Sequence, residues 1–213
     1  MFSPKMSLKQ GYIKIGRINT SEQELKDLLK AWIAISLAFA IAMSNSIFSS
    51  GIYAKFIIAS LTVGIGFLFH ELGHKFVAQK YGCFAEFRSF DNMLLLAIAM
   101  SFFGFIFAAP GAVMISGHVN KKRNGKISAA GPIVNLILAS IFLALIFIEM
   151  PKLFNSIAYY GFVINSWLAL FNMIPFWLFD GYKILRWNKV VYGIIVNTAF
   201  LFMLLQNLVR SIG

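Results

Sequence analysis

The stretch Phe67-Leu68-Phe69-His70-Glu71-Leu72-Gly73-His74-Lys75 decides how the rest of the chain is read. Two histidines four residues apart share one face of a helix, so both rings can present a nitrogen to a single zinc ion. Glu71 projects to the side, where it can take a proton from a zinc-bound water instead of binding the metal. Zinc lowers the pKa of such a water from about 16 to near 7, which makes a hydroxide nucleophile at neutral pH. The residues before His70 are almost all apolar for more than a helical turn, so the motif lies inside a hydrophobic segment. A pattern with three fixed positions also arises by chance, and a buried histidine pair can be purely structural. Against that, the chain has three histidines and eight carboxylates, and the motif uses two of the first and one of the second. Ionisable groups inside a membrane helix cost about 3 kcal/mol each even on lenient insertion scales, so they read as functional by default.

The setting follows from composition. Of 213 residues, 59% are hydrophobic and 13% charged, and the mean hydropathy is +0.77. A soluble domain of this length does not carry so much apolar surface. Uncharged runs approach or exceed the roughly 20 residues that cross a bilayer core, which predicts an all-α polytopic membrane protein of about five to six transmembrane helices. The net charge of +11 would suggest nucleic acid in a soluble protein. Here Lys and Arg cluster in loops, where the positive-inside rule and anionic headgroups account for them, so the partner is the lipid bilayer and not nucleic acid. The single Cys83 cannot form an intrachain disulfide and reads as a small packing residue near a helix end.

Residues 1–30 are polar and basic, and are expected to form a cytoplasmic segment with an amphipathic helix; residues 31–213 are expected to form one domain with its core at about 52–186. Ser21-Glu22-Gln23-Glu24 has capping-box spacing, which starts a helix near Ser21. Ala38-Phe39-Ala40 faintly resembles a signal-peptidase site, but Glu22, Glu24 and Asp27 upstream are unlike a secretory leader. Residues 31–48 are therefore a retained first span, with a turn at 44–51. The second span, 52–79, carries the motif near its C-terminal end. Lys75, Lys80 and Arg88 there, and Lys5, Lys9, Lys14, Arg17, Lys26 and Lys30 before the first span, put both ends on the cytoplasmic side. A metal at the motif would lie within the membrane near that face.

Residues 93–109 form a 17-residue apolar run interrupted by Gly104 and ended by Pro110-Gly111. A complete crossing would put the basic loop at 118–126 outside, against the positive-inside rule. A re-entrant element keeps it inside and is the expectation, since irregular backbone is tolerated at membrane depth where protein buries it. Ala112-Val113-Met114-Ile115 reads as strand. Spans follow at 130–148, at 156–179 and at 190–209, with Glu149, Pro151 and Lys152 in an outer turn and Lys183, Arg186 and Lys189 in a cytoplasmic loop. No internal repeat or low-complexity tract is present.

Catalytic zinc takes three protein ligands and a water. Three and six positions after His74 stand Val77 and Lys80, so the extended metzincin pattern is missing. Glu22, Glu24 and Asp27 precede the first span, Glu149 belongs to the opposite face, and Glu86 and Asp91 read as a surface loop. Asp180 ends an uncharged span on the same basic-flanked side as the motif, so charge counting places it at the motif's depth. The alternative is an ordinary helix-end carboxylate. Pro175, one turn earlier, can unwind the helix and turn that carboxylate inward.

Three features stand in order over about 110 residues: His70-Glu71-Leu72-Gly73-His74, then Gly131-Pro132-x-x-Asn135, then Asn172-x-x-Pro175 followed by Asp180-Gly181. In these the chain resembles the site-2 proteases, a family of intramembrane zinc metalloproteases. The resemblance implies that His70, His74 and Asp180 bind one zinc ion per chain, with Glu71 as general base. It implies a core of three helices, the first and third parallel and the middle one antiparallel. It also implies hydrolysis of peptide bonds in or near transmembrane helices of another membrane protein, the step used in regulated intramembrane proteolysis. In relatives a membrane-inserted β-hairpin meets the substrate, and residues 111–116 are the candidate strand for edge addition. Asn135 and Asn172 are candidates for holding an unwound substrate or an oxyanion, with helix–helix hydrogen bonding as the alternative. His118, the spare proton donor, sits in a basic loop and reads as solvated. Two departures stand out: the usual Leu-Asp-Gly-Gly is Phe179-Asp180-Gly181-Tyr182, and the insert at 93–109 exceeds a simple hairpin. No PDZ or CBS domain is expected. The rival readings are a divalent metal transporter, which needs ligands along a path, and a catalytically idle relative that binds membrane helices.

Overall fold

The computed structural model describes residues 12–16, 18–44, 51–106 and 109–210. Residues 45–50 of the turn expected at 44–51, the basic residues Lys5, Lys9 and Arg17, and residues 107–108 of the apolar insert lie outside this range. Strands β1 (Tyr12–Ile15) and β2 (Ile18–Ser21) pair antiparallel, with Gly16 at φ +61° in the turn between them. Helix α1 (Glu22–Ser44) starts where the capping spacing predicts: the Ser21 hydroxyl accepts the Glu24 N–H at 3.2 Å. The second half of a capping box is absent, because the Glu24 carboxylate is spent on long-range partners described below.

Helix α2 (Ile52–Ala59), a π-helical turn at Ser60–Gly64 and helix α3 (Ile65–Lys80) run on as one 29-residue rod. The π turn disturbs the regular backbone ladder. Trp32 Nε1 donates to the Ser60 carbonyl at 3.0 Å, which ties α1 to this irregular turn. Strand β3 (Phe84–Ser89), helix α4 (Asp91–Ser101) and strand β4 (Gly111–Ser116) follow. β3 and β4 pair antiparallel from Phe84↔Ser116 to Ser89↔Gly111, so the chain returns beside the end of α3. α4 has 11 residues, a length of about 16 Å against the ~30 Å of a bilayer core. It is too short to cross, and the insert is a loop of the ribbon that carries a short apolar helix.

Helices α5 (Lys121–Ile146), α6 (Lys152–Asn172), α7 (Asp180–Trp187) and α8 (Lys189–Arg210) complete the chain. Among the described residues, four stretches are long and apolar enough to cross a membrane: Glu22–Ser44, Ile52–Lys80, Lys121–Ile146 and Lys189–Val209. α6 has 21 residues but interrupts its apolar face with Asn155, Ser156, Asn165 and Ser166. The architecture is that of an all-α polytopic membrane protein with one small ribbon in its core. Polarity is inverted relative to a soluble fold. Val190, Ile194, Leu201, Leu204 and Leu208 of α8 face outward, whereas Glu24, Lys75, Asn135 and Asn165 are among the fully buried side chains. Such groups persist inside a bundle only when paired.

Two expectations are corrected. Glu86 is not in a surface loop: it lies in β3, is buried, and pairs with Arg88. The short run Phe84-Ala85-Glu86-Phe87-Arg88-Ser89 alternates apolar and charged residues, which hid a buried strand. The span expected at 156–179 ends as α6 at Asn172, and Asp180 opens a new helix after an irregular turn containing Pro175. The helix expected to start near Ser21 does so and runs unbroken into the first span, burying Glu24 and Asp27.

Candidate metal centre

The site is built where α3, α5 and α7 meet. His70 and His74 are one helical turn apart on α3, and their Nε2 atoms lie 3.0 Å from each other. Asp180 Oδ2 comes within 3.3 Å of His70 Nε2 and 3.0 Å of His74 Nε2. All three residues are buried, and together they form a cluster able to hold a metal ion. The outer ring nitrogens settle the tautomer of each neutral imidazole. His70 Nδ1 lies 2.6 Å from Asn135 Oδ1, and His74 Nδ1 lies 2.8 Å from the Ile127 carbonyl. Both partners are acceptors, so each Nδ1 carries the hydrogen and each Nε2 turns a lone pair inward. Two lone pairs and a carboxylate oxygen then converge at hydrogen-bond range, an arrangement that calls for a cation. A tetrahedral zinc with bonds of 2.0–2.1 Å sets its donors about 3.3 Å apart, close to the 3.0–3.3 Å observed. The donor set fits zinc.

The motif glycines make this approach possible. A Cβ on Gly131 would stand 2.5 Å from His70 Nε2 and 2.6 Å from His74 Cε1, so α5 reaches the imidazoles only with glycine there. A Cβ on Gly181 would stand 2.2 Å from the Met173 carbonyl oxygen, so the start of α7 closes against the end of α6 only with glycine after Asp180. Asp180 is thus presented from the first turn of α7, not from the end of a long span.

Glu71 is buried beside the cluster, and its Oε2 accepts the Val113 N–H of β4 at 3.0 Å. Asn135 takes the part weighed as the alternative, hydrogen bonding between helices, and Asn172 bonds within its own helix. Asn135 has no donor left for an oxyanion: its Nδ2 gives hydrogens to the Gly66 carbonyl at 3.1 Å and to Asn165 Oδ1 at 3.0 Å, while its Oδ1 holds His70. Asn172 turns back on its own helix, donating to the Leu168 carbonyl at 2.9 Å. Helix back-bonding of this kind is common for a polar side chain in an apolar span. His118 is exposed, as its basic loop predicts.

Sequence reasoning missed Asn165. It is fully buried on α6, donates through Nδ2 to the Gly161 carbonyl at 2.9 Å, and so must offer its Oδ1 to Asn135. The direction of each bond is therefore set from Gly161 through Asn165 and Asn135 to the His70 tautomer. A buried amide in the charge-free span was the available signal. Asn165→Leu is expected to leave the three ligands in place and to weaken zinc binding by less than the about 10- to 100-fold that losing a direct partner of a ligand, such as Asn135, costs. Competition titration against a chelator measures it.

No family model matches the chain. A protein of Methanocaldococcus jannaschii named provisionally as a zinc metalloprotease is 40% identical over 178 residues, covering 82% of this chain and 90% of its own length. A second zinc metalloprotease of that organism is 28% identical over 155 residues, or 72% of this chain; the match spans only 40% of that relative's length. The solved site-2 protease from M. jannaschii aligns over 94% of this chain and 91% of its own, at 21% identity and a TM-score of 0.41. Identity of 40% across most of both chains makes this chain a member of that relative's family of zinc metalloproteases, and its three motifs in their order are those in which it resembles the site-2 proteases.

Proposed function

We propose that the chain is a zinc-dependent intramembrane endopeptidase that hydrolyses peptide bonds in or near transmembrane helices of other membrane proteins. The observation that carries the proposal is the convergence of His70 Nε2, His74 Nε2 and Asp180 Oδ2 beside the buried Glu71. When bound, a zinc ion supplies Lewis-acid polarisation of the scissile carbonyl and lowers the pKa of water at the site. Asn135 and the Ile127 carbonyl hold the two imidazoles in the tautomer that binds it. Glu71, outside the ligand set, takes the proton of the attacking water and returns it to the leaving amine.

The ribbon supplies the substrate edge. Phe87 and Val113 are register partners whose N–H groups both point out of the ribbon, one to Glu24 and the other to Glu71. The outer edge of β4 therefore runs past the base. A helical substrate hides its carbonyls in its own ladder; once unwound, it can pair with that edge and bring one carbonyl to the site. The basic loops support an orientation with the site near the cytoplasmic face of the cell membrane.

The test is reconstitution of the purified chain in liposomes with a single-pass membrane protein. Cleavage within or beside the membrane helix is expected to stop on chelation and return with zinc. Cleavage indifferent to chelation would overturn the proposal, and zinc flux into the vesicles without cleavage would favour a carrier. Labelling of single cysteines placed at Lys122 and Glu149 should come from opposite sides.

A further inference from the structure

Among the described residues, one buried charge pair lies outside the metal cluster. Glu24 of α1 and Lys75 of α3 form an ion pair with both side chains all but inaccessible. Glu24 Oε2 also accepts the Thr20 hydroxyl at 2.7 Å, and its Oε1 accepts the Phe87 N–H of β3 at 2.9 Å. Lys75 directly follows the ligand His74. The carboxylate therefore bonds at once to the helix that carries His70, Glu71 and His74 and to the backbone of the ribbon. On the ribbon, Phe87 stands opposite Val113, whose N–H reaches Glu71.

Stability alone does not account for this pair. Replacing a buried ion pair by apolar residues of like volume is often neutral or stabilising. What an apolar pair cannot do is accept the Phe87 N–H. Asp27, one turn further along α1, touches the same strand, accepting from Ser89 Oγ at 3.2 Å. The strand is thus pinned to α1 at two points, while Gln79 of α3 donates to its Ala85 carbonyl at 3.0 Å, and the Glu24 point is the one that joins α1, α3 and the strand.

We propose that Glu24 is a positioning residue for the reaction: by accepting the Phe87 N–H it fixes the β3–β4 ribbon against α1 and so sets where β4 stands beside Glu71. This rests on the proteolytic reading of the site for its kinetic consequence, but not for its structural one. Two double variants separate the roles. Glu24→Gln with Lys75→Met removes both charges and keeps an oxygen for Phe87 N–H. Glu24→Met with Lys75→Met removes the charges and that oxygen.

Both are measured for zinc content, thermal unfolding, kcat and KM, and amide hydrogen exchange over residues 84–89 and 111–116. The Gln variant is expected to keep turnover and ribbon protection near those of the unaltered chain. The Met variant is expected to stay folded and zinc-loaded but to lose about 10²-fold in kcat, the effect of a misplacement near 1 Å, with faster exchange at Val113. Equal turnover and equal exchange in the two variants overturn the proposal. So does failure of both to fold, which would make the pair a folding element only. Should the unaltered chain show no zinc-dependent cleavage, the proteolytic reading fails, and the exchange comparison still decides the ribbon.

Discussion

Glu71→Gln is expected to lower kcat by about 10²- to 10⁴-fold, the range lost when a general acid–base group is removed, while zinc stays bound. At about 1.36 kcal/mol per tenfold, this corresponds to roughly 3–5 kcal/mol of transition-state stabilisation. The substitution is clean for a structural reason. Glutamine has the same shape and keeps an oxygen to accept the Val113 N–H that Glu71 now accepts at 3.0 Å, so β4 stays docked. The donor cluster of His70, His74 and Asp180 is untouched. Only the capacity to carry a proton is lost. KM should change little, because substrate pairing with the β4 edge does not depend on that proton. Elemental analysis and single-substrate kinetics on one preparation check both halves, and unchanged cleavage would remove Glu71 from the mechanism.

Gly131→Ala is expected to empty the site of zinc by the smallest change in the chain. Alanine raises helix propensity by about 1 kcal/mol over glycine, so α5 itself should not suffer. The added methyl would lie 2.5 Å from His70 Nε2 and 2.6 Å from His70 Cε1 and His74 Cε1. Neither ring can move aside freely, because each is held from behind, by Asn135 Oδ1 at 2.6 Å and by the Ile127 carbonyl at 2.8 Å. Overpacking of this size costs about 1–3 kcal/mol, roughly offset by the gain in propensity. The fold should survive, and the cost should fall on the metal, with affinity down by about 10- to 100-fold. A variant that keeps stoichiometric zinc at unchanged affinity would mean that α5 does not approach the rings this closely.

Much of this was legible because membrane chains spend charges sparingly. Two histidines at helical spacing in an apolar run, and one aspartate on the same charged side, were enough to nominate the three residues that converge. The β-branched stretch at Val113 and Ile115 pointed to a strand. Its partner was not legible: Glu86 and Arg88 in a six-residue run look solvated until their mutual ion pair is seen. Glu24 was hidden for a related reason. A carboxylate early in an amphipathic helix has the pattern of a solvent-facing group, and nothing in the spacing says that a lysine 51 positions later in the chain will meet it. The asparagines mark another limit. Residue type shows that Asn135, Asn165 and Asn172 need partners, but only geometry assigns the first to His70, the second to the first and the third to its own helix.

The central claim is that two imidazoles on α3 and the first carboxylate of α7 hold one metal ion. Its most direct test is the zinc content and affinity of the purified chain beside Asp180→Asn. One zinc per chain is expected in the unaltered protein, with affinity sharply weakened in the variant. An unaltered chain without stoichiometric zinc, or a variant that binds it equally well, would contradict the account.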